Sequence, residues 1–196
     1  DASAINTAVT VPLYALRSQK NKDPGVGKYL DLGRYYRDEL SKQGVGVVLL
    51  LPHFATLEES PYAPVSLFAL NEDHIDWSSV DEVRTDPLLA ARLIAPSQSV
   101  DYASLRARES EVARRAYARF MKDPASSRAR DFSEFSTKNA SWLDDYAEFV
   151  SLSSLIGKTP IHWTAQDQRK ARAKPGFTEL VAVRRWSQWL AHGQLK

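Results

Sequence analysis

Cysteine is absent from the 196 residues, which excludes disulfides and cysteine-held metals and permits a reducing compartment; a cytoplasmic location is the expectation. An excess of one charge is also lacking. Lys and Arg number 26 against 24 Asp and Glu, a formal net charge of +2, so no global field gathers nucleic acid or anionic lipid. Neither nucleic acid nor a membrane is expected as a partner. Long apolar runs are missing as well: residues 45–52 fall far short of the roughly 20 residues that a membrane-spanning helix needs. Residue 1 is Asp, with no basic-then-apolar signal segment behind it, so the numbering is expected to begin inside a larger protein. What is present is 43% hydrophobic and 10% aromatic residues, enough to bury one core, or one core with a small appended subdomain.

Residues 9–16 (VTVPLYAL) are rich in β-branched and aromatic types and read as a strand, with Pro12 near an edge or end. Asp23-Pro24-Gly25 is a turn signal. Tyr29, Leu32, Tyr36 and Leu40 then fall at helical spacing, predicting a helix over 28–43 with Gly44 as its cap. The apolar run 45–51 lacks polar alternation, as expected of a parallel strand covered on both faces. Strand, helix and strand make a βαβ unit. Because ligands in such folds bind at the carboxyl ends of the strands, the loops 17–26 and 52–62 should share one rim.

Beyond Trp77 the pattern turns helical. A short helix fits 86–93, closed by Ala95-Pro96. Asp101 can cap a helix to about Lys122, with Leu105, Val112, Ala116 and Phe120 on one face. A Ser/Arg-rich linker follows. Asn139 can cap a helix with Trp142, Tyr146, Phe149 and Val150 inward, and a loop with Pro160 carries the basic run 169–174. Pro175-Gly176 opens a last helix bearing Phe177, Leu180, Val181, Trp186, Trp189 and Leu190. Two strands cannot close a barrel or form a stable open sheet. The remaining strands are therefore expected after Lys196, with 86–174 as a helical insertion.

The sharper motifs weaken on inspection. Pro24-Gly25-Val26-Gly27-Lys28 stands where a phosphate-binding loop would, yet the motif needs glycine at Lys22 and Ser or Thr at Tyr29; a plain turn is expected. His53, His74, His162 and His192 lack metal-ligand spacing, and solvated or capping roles are expected. The arginines between Arg106 and Arg130 interleave with Glu109, Glu111 and Asp123 on a helix whose other face is apolar, which reads as a solvated face. Asn139-Ala140-Ser141 matches a glycosylation acceptor, a pattern frequent by chance. Glu58-Glu59 and Asp144-Asp145 are adjacent in sequence, so their side chains diverge on regular structure. Neither supplies the two carboxyls about 5 Å apart that a retaining glycosyl transfer needs.

Leu16-Arg17-Ser18 with Gly25-Val26-Gly27, Leu51-Pro52, Ser60-Pro61-Tyr62 with Ser66, Phe68-Ala69 and Asn71, Ile75-Asp76, Val100-Asp101-Tyr102, and Trp142-Leu143-Asp144-Asp145-Tyr146-Ala147 with Phe149 occur in a family order from about Val11 onward. On these residues the chain resembles the N-terminal part of the amylomaltases, the 4-alpha-glucanotransferases of glycoside hydrolase family 77 in the α-amylase clan. The resemblance implies an α/β fold: a partial (β/α)8 TIM barrel, its first βαβ unit present, with a largely helical inserted subdomain. It divides the chain into first barrel strands (1–84), a helical insertion (85–174) and a barrel helix preceding later strands (175–196).

The activity so implied is disproportionation of α-1,4-glucans, segments passing between maltooligosaccharides through a covalent glycosyl-enzyme, without cofactor or metal. The turn matching Ser60-Pro61-Tyr62 would line the sugar cleft, with Tyr62 against the ring at the point of cleavage, and Tyr102 would lie near an outer glucan-binding surface. An aromatic face suits the apolar face of a pyranose. The family's catalytic carboxylates belong to later strands, so no catalytic residue is assigned here. The chain is expected to be an inactive N-terminal fragment whose partners are an α-1,4-glucan and the remaining C-terminal part of the same protein. Departures are residues 54–59 in place of a Gly/Pro-bearing loop, Val47 and Val48 where Trp and Gln are common, and Glu109 where a lysine is usual. A non-catalytic glucan-binding or scaffolding relative is the alternative.

Overall fold

The computed structural model describes residues 7–16, 26–57, 60–93 and 101–196. The turn at 17–25, the Glu58-Glu59 pair, Ala95-Pro96 and Val100 lie outside the described residues. Two strands, β1 (Ala8–Val11) and β2 (Val47–Leu50), pair in parallel with Ala8 opposite Val47 and Val11 opposite Leu50. Between them runs α1 (Tyr29–Tyr35), which continues through a π turn (Tyr36–Leu40) and a 3-10 turn (Ser41–Gln43) and stops at Gly44, φ 76°. A left-handed residue at this position favours glycine. The βαβ unit thus forms as the apolar spacing predicts, with two corrections. The first strand ends at Val11, because Pro12 has no N–H to continue a ladder, and Leu13–Ala15 coils into a 3-10 turn that buries Leu13. The second strand is not covered on both faces among the described residues: Leu49 is 54% exposed.

The rest is helical: α2 (Asp81–Arg84), α3 (Pro87–Ala91), α4 (Tyr102–Phe120), α5 (Ser127–Lys138), α6 (Ala140–Ile156), α7 (Ala165–Arg172) and α8 (Phe177–Leu195). Asp101 caps α4, accepting from the N–H groups of Ala103 at 3.0 Å and Ser104 at 3.2 Å, and Leu105, Val112, Ala116 and Phe120 all face the core. Three expectations change here. The Ser/Arg-rich linker is helix α5, started by Ser126, whose hydroxyl accepts from Ala129 N–H. The basic run beginning at Arg169 lies on α7, where Thr164 and Asp167 form a reciprocal cap. Asn139 does not cap α6: its amide donates to Phe135 O at 2.7 Å and accepts from Trp142 Nε1 at 3.1 Å.

The core gathers residues from both ends of the chain. Leu13, Tyr29, Leu70, Ile75 and Trp77 join Val112, Ala116 and Phe120 of α4 and Val183 and Trp186 of α8 in one cluster. Phe120 sits at its aromatic centre, 5.5 Å from Trp186, 5.6 Å from Trp189 and 5.9 Å from Phe132. Each such large side chain contributes about 1.5–3 kcal/mol on burial.

Candidate functional site

Parallel pairing puts the carboxyl ends of β1 and β2 on one side, and the chain leaving β2 builds the site there. Residues 51–57 and 60–71 pack back on each other through isolated antiparallel bridges, Phe54 to Leu70 and Thr56 to Pro64. Ala55 N–H donates to Ala69 O at 2.8 Å, and Asn71 N–H to His53 O at 2.9 Å. At the tip stands the Ser60-Pro61-Tyr62 turn, where Tyr62 N–H reaches Ser60 Oγ at 3.4 Å. Ser60 is exposed, and Tyr62 is 69% exposed.

Tyr102 opens α4 and is half-buried, with the Arg106 guanidinium 5.8 Å from its ring centre. Tyr102 and Pro61 line one recess of about 120 Å³, together with Tyr14, Val26, Pro52 and His74. Tyr14 and Val26, on either side of residues 17–25, thus share a recess with Pro52 and Pro61 of the chain after β2, while the expected rim loop itself lies outside the described residues. Ser60 and Tyr62 flank Pro61 on its solvent side rather than lining the recess.

Behind this rim lies a polar network that sequence reading misses. Glu72 forms an ion pair with Arg184 and accepts from Tyr146 Oη and Gln188 Nε2, both at 3.3 Å. Arg106 grips Asp73 through Nε at 3.0 Å and Nη2 at 2.9 Å. Lys28 donates to Glu109 at 2.7 Å and to the Asp73 carbonyl at 2.7 Å. Glu109 is thus buried and paired, not part of a solvated face. Burial, reinforced by the charge of Glu72, raises the Tyr146 phenol well above its usual range. Arg184 is pushed up by Glu72. The available signal was the polar triplet Asn71-Glu72-Asp73 between apolar runs and a lone Gln188 within the apolar face of the last helix.

His74 also departs from expectation, being 5% exposed. Its Nδ1 lies 2.7 Å from the Gly27 carbonyl, so Nδ1 carries the proton and donates. Burial lowers its pKa to about 4. Gly27 explains the glycine-rich turn without phosphate: a Cβ there would lie 2.0 Å from Leu13 O and 2.3 Å from Leu16 O. Lys28, which a phosphate loop would send to its ligand, is spent on Glu109 and Asp73. Among the described residues no cluster of His, Asp and Glu could hold a metal, and no helix is long and apolar enough to cross a membrane.

Of the arginines on α4 and its neighbours, Arg92 and Arg115 pair with Glu111 and Arg119 with Asp86.

The family model for 4-alpha-glucanotransferases of glycoside hydrolase family 77 matches residues 11–196. Relatives include the 4-alpha-glucanotransferase of Thermus thermophilus, 33% identical over 143 residues that make up 67% of this chain and 27% of that protein. The Chlamydia pneumoniae 4-alpha-glucanotransferase is 28% identical over 79% of this chain and 30% of its own length. Rice (Oryza sativa subsp. japonica) 4-alpha-glucanotransferase DPE2 is 29% identical over 74% of this chain and 16% of its own. Among solved structures, the amylomaltase of Corynebacterium glutamicum superposes with a TM-score of 0.71 at 22% identity, covering 95% of this chain and 27% of that one, which speaks for a shared fold. The chain spans less than a third of the length of each.

Proposed function

Because the chain belongs to the 4-alpha-glucanotransferase family, we propose that it forms one glucan-binding wall of a retaining enzyme that passes α-1,4-glucan segments between maltooligosaccharides. In this reading residues 1–84 are the first strands of a (β/α)8 barrel, 85–174 an inserted helical subdomain and 175–196 a barrel helix. The observation that carries it is the exposed Tyr62 ring beside the recess shared by Pro61 and Tyr102. An aromatic face there packs on the apolar face of a pyranose, and neighbouring polar groups such as Ser60 bond its hydroxyls.

Retaining transfer needs an acid and a nucleophile about 5 Å apart. Glu72, Asp73 and Glu109 are each held by a cation, so they keep the wall in shape and do no acid–base work. The chain by itself then binds glucan without turning it over. The same committed carboxylates favour a second reading, a non-catalytic glucan-binding or scaffolding relative. Calorimetry with maltoheptaose and a glucose-release assay on maltotriose test the first reading: binding without release supports it, and turnover by the pure 196-residue chain overturns it. Transfer activity of a longer protein carrying this chain separates the two readings.

A further inference from the structure

The fold-back that carries Tyr62 has little to hold it in place by itself. Its two legs, residues 54–57 and 60–70, meet in two isolated bridges, with Val65 N–H donating to Ala55 O at 2.9 Å. A two-stranded pairing of this kind is marginal in water unless it packs on a further apolar face. Helix α6 supplies that face. Trp142, Tyr146 and Val150 stand four residues apart on one side of it, and Tyr146 forms a cluster with the buried Ala55 and Ala69, against which Val65, Trp142 and Val150 pack. The small side chains of Ala55 and Ala69 let both legs approach the helix closely. One turn before Tyr146, Trp142 stacks on Phe68, with ring centres 6.1 Å apart and planes 21° from parallel.

The Tyr146 hydroxyl gives this contact a direction. It donates to Glu72 Oε1 and accepts from Gln188 Nε2, both at 3.3 Å; the carboxylate can only accept and the amide nitrogen only donate, so the phenol proton has one place. Glu72 is held in turn by Arg184, and Gln188 bonds both main-chain groups of Leu70. The phenol is thus where α6 and α8 together fix residues 69–72. Phenylalanine in its place would fill the same ring space and lose the hydroxyl bonds alone. Tyr146 is buried and Tyr62 exposed, so any influence of one on the other passes through the fold-back.

We propose that Tyr146 is a positioning residue: through its ring and its hydroxyl, α6 sets where the Tyr62 ring stands, which gives the helical stretch 85–174 a part in the wall that Tyr62 belongs to. The placement follows from the contacts. Its bearing on glucan binding rests on the reading of Tyr62 given above.

The test is Tyr146→Phe, alone and combined with Tyr62→Ala. Well below the unfolding temperature, Tyr146→Phe should weaken maltoheptaose binding by at least about threefold, and by less than about 1.5-fold in the Tyr62→Ala background, the non-additivity of two residues acting through one contact. A purely structural tyrosine would lower the melting temperature and leave the affinity alone. Amide hydrogen exchange gives a readout that needs no sugar. Ala55 and Val65, whose N–H groups close the fold-back, should exchange about fivefold faster or more in Tyr146→Phe, with Val112 of α4 unchanged. Where Tyr146→Phe fails to fold, Trp142→Leu, which removes the ring that stacks on Phe68, takes its place with the same expectations. The proposal is overturned by unchanged exchange at Ala55 and Val65, by an affinity loss equal in both backgrounds, or by an affinity untouched by Tyr146→Phe where Tyr62→Ala weakens it. If exchange quickens while Tyr62→Ala leaves maltoheptaose binding unchanged, the positioning stands and the glucan reading of Tyr62 falls.

Discussion

Gln188 holds Leu70 by both of its main-chain polar groups. Leu70 N–H donates to Gln188 Oε1 at 2.9 Å, and Gln188 Nε2 donates to Leu70 O at 2.9 Å. Six residues further along α8, Gln194 does the same for Asp76, at 2.8 and 3.1 Å. Two amides on one helix therefore take the place of a neighbouring strand for segment 70–76. This is the root from which the Tyr62 turn projects.

Replacing Gln188 by Leu keeps the volume and removes both bonds to Leu70 along with the longer contacts to Glu72 and Tyr146. Each buried group left unsatisfied costs about 1–3 kcal/mol, so the two Leu70 groups alone should cost the variant roughly 2–6 kcal/mol in urea unfolding. Wild-type stability would show that the amide pairing is incidental.

Lys28 and Glu109 meet with side chains only 14% and 10% exposed. Lys28→Met strands a buried carboxylate and should cost about 3–5 kcal/mol. The double variant Lys28→Met with Glu109→Leu should recover most of that loss, giving a coupling above about 1 kcal/mol in a double-mutant cycle. Additive losses would remove the pairing from the account.

His74 sets a pH dependence. Burial lowers its folded pKa to about 4, below the unfolded value of about 6.5. The neutral ring is the native form, so its contribution is fully present above about pH 6.5. It is lost as pH falls toward 4, where the unfolded chain binds the extra proton. Stability should drop by up to about 3 kcal/mol across that window. His74→Asn, whose amide can still donate to Gly27 O, should flatten the difference between denaturation curves at pH 7 and pH 4.5.

Gly27→Ala should destabilise the fold by about 2 kcal/mol or more, since the new methyl meets the carbonyls of Leu13 and Leu16 and backbone yields poorly. An unshifted melting temperature would contradict the close approach.

Tyr62→Ala should leave stability within about 0.5 kcal/mol, as the ring is exposed. It should weaken maltoheptaose binding by about 1–3 kcal/mol if the ring stacks on sugar, read by calorimetry beside a thermal melt.

What the sequence reveals here depends on range. The helix over 28–43, its Gly44 stop and the Asp101 cap rest on neighbours a few residues apart, and all are legible in spacing. Residues 126–138 look like a linker because Ser and Arg have little apolar signal, yet Phe132 and Phe135 find aromatic partners on α4 and α8. Of the residues expected at the outer rim, Tyr102 lines the recess with Pro61, while Ser60 and Tyr62 stand outside it. The network behind it is not: Lys28 with Glu109, Asp73 with Arg106 and Glu72 with Arg184 join residues 81, 33 and 112 positions apart. No local pattern marks which of many surface-type charges turn inward.

The amide pairing on α8 also carries a timetable. Leu70 and Gln188 are 118 positions apart, as are Asp76 and Gln194. At about 5–20 residues per second, a ribosome needs roughly 6–24 s to travel from one partner to the other. Through that interval Leu70 and Asp76 lack their α8 partners, and segment 70–76 has only local bonds such as Asn71 N–H to His53 O to hold the root of the Tyr62 turn. The edge that carries Tyr62 is thus among the first parts to be synthesised and among the last to be set.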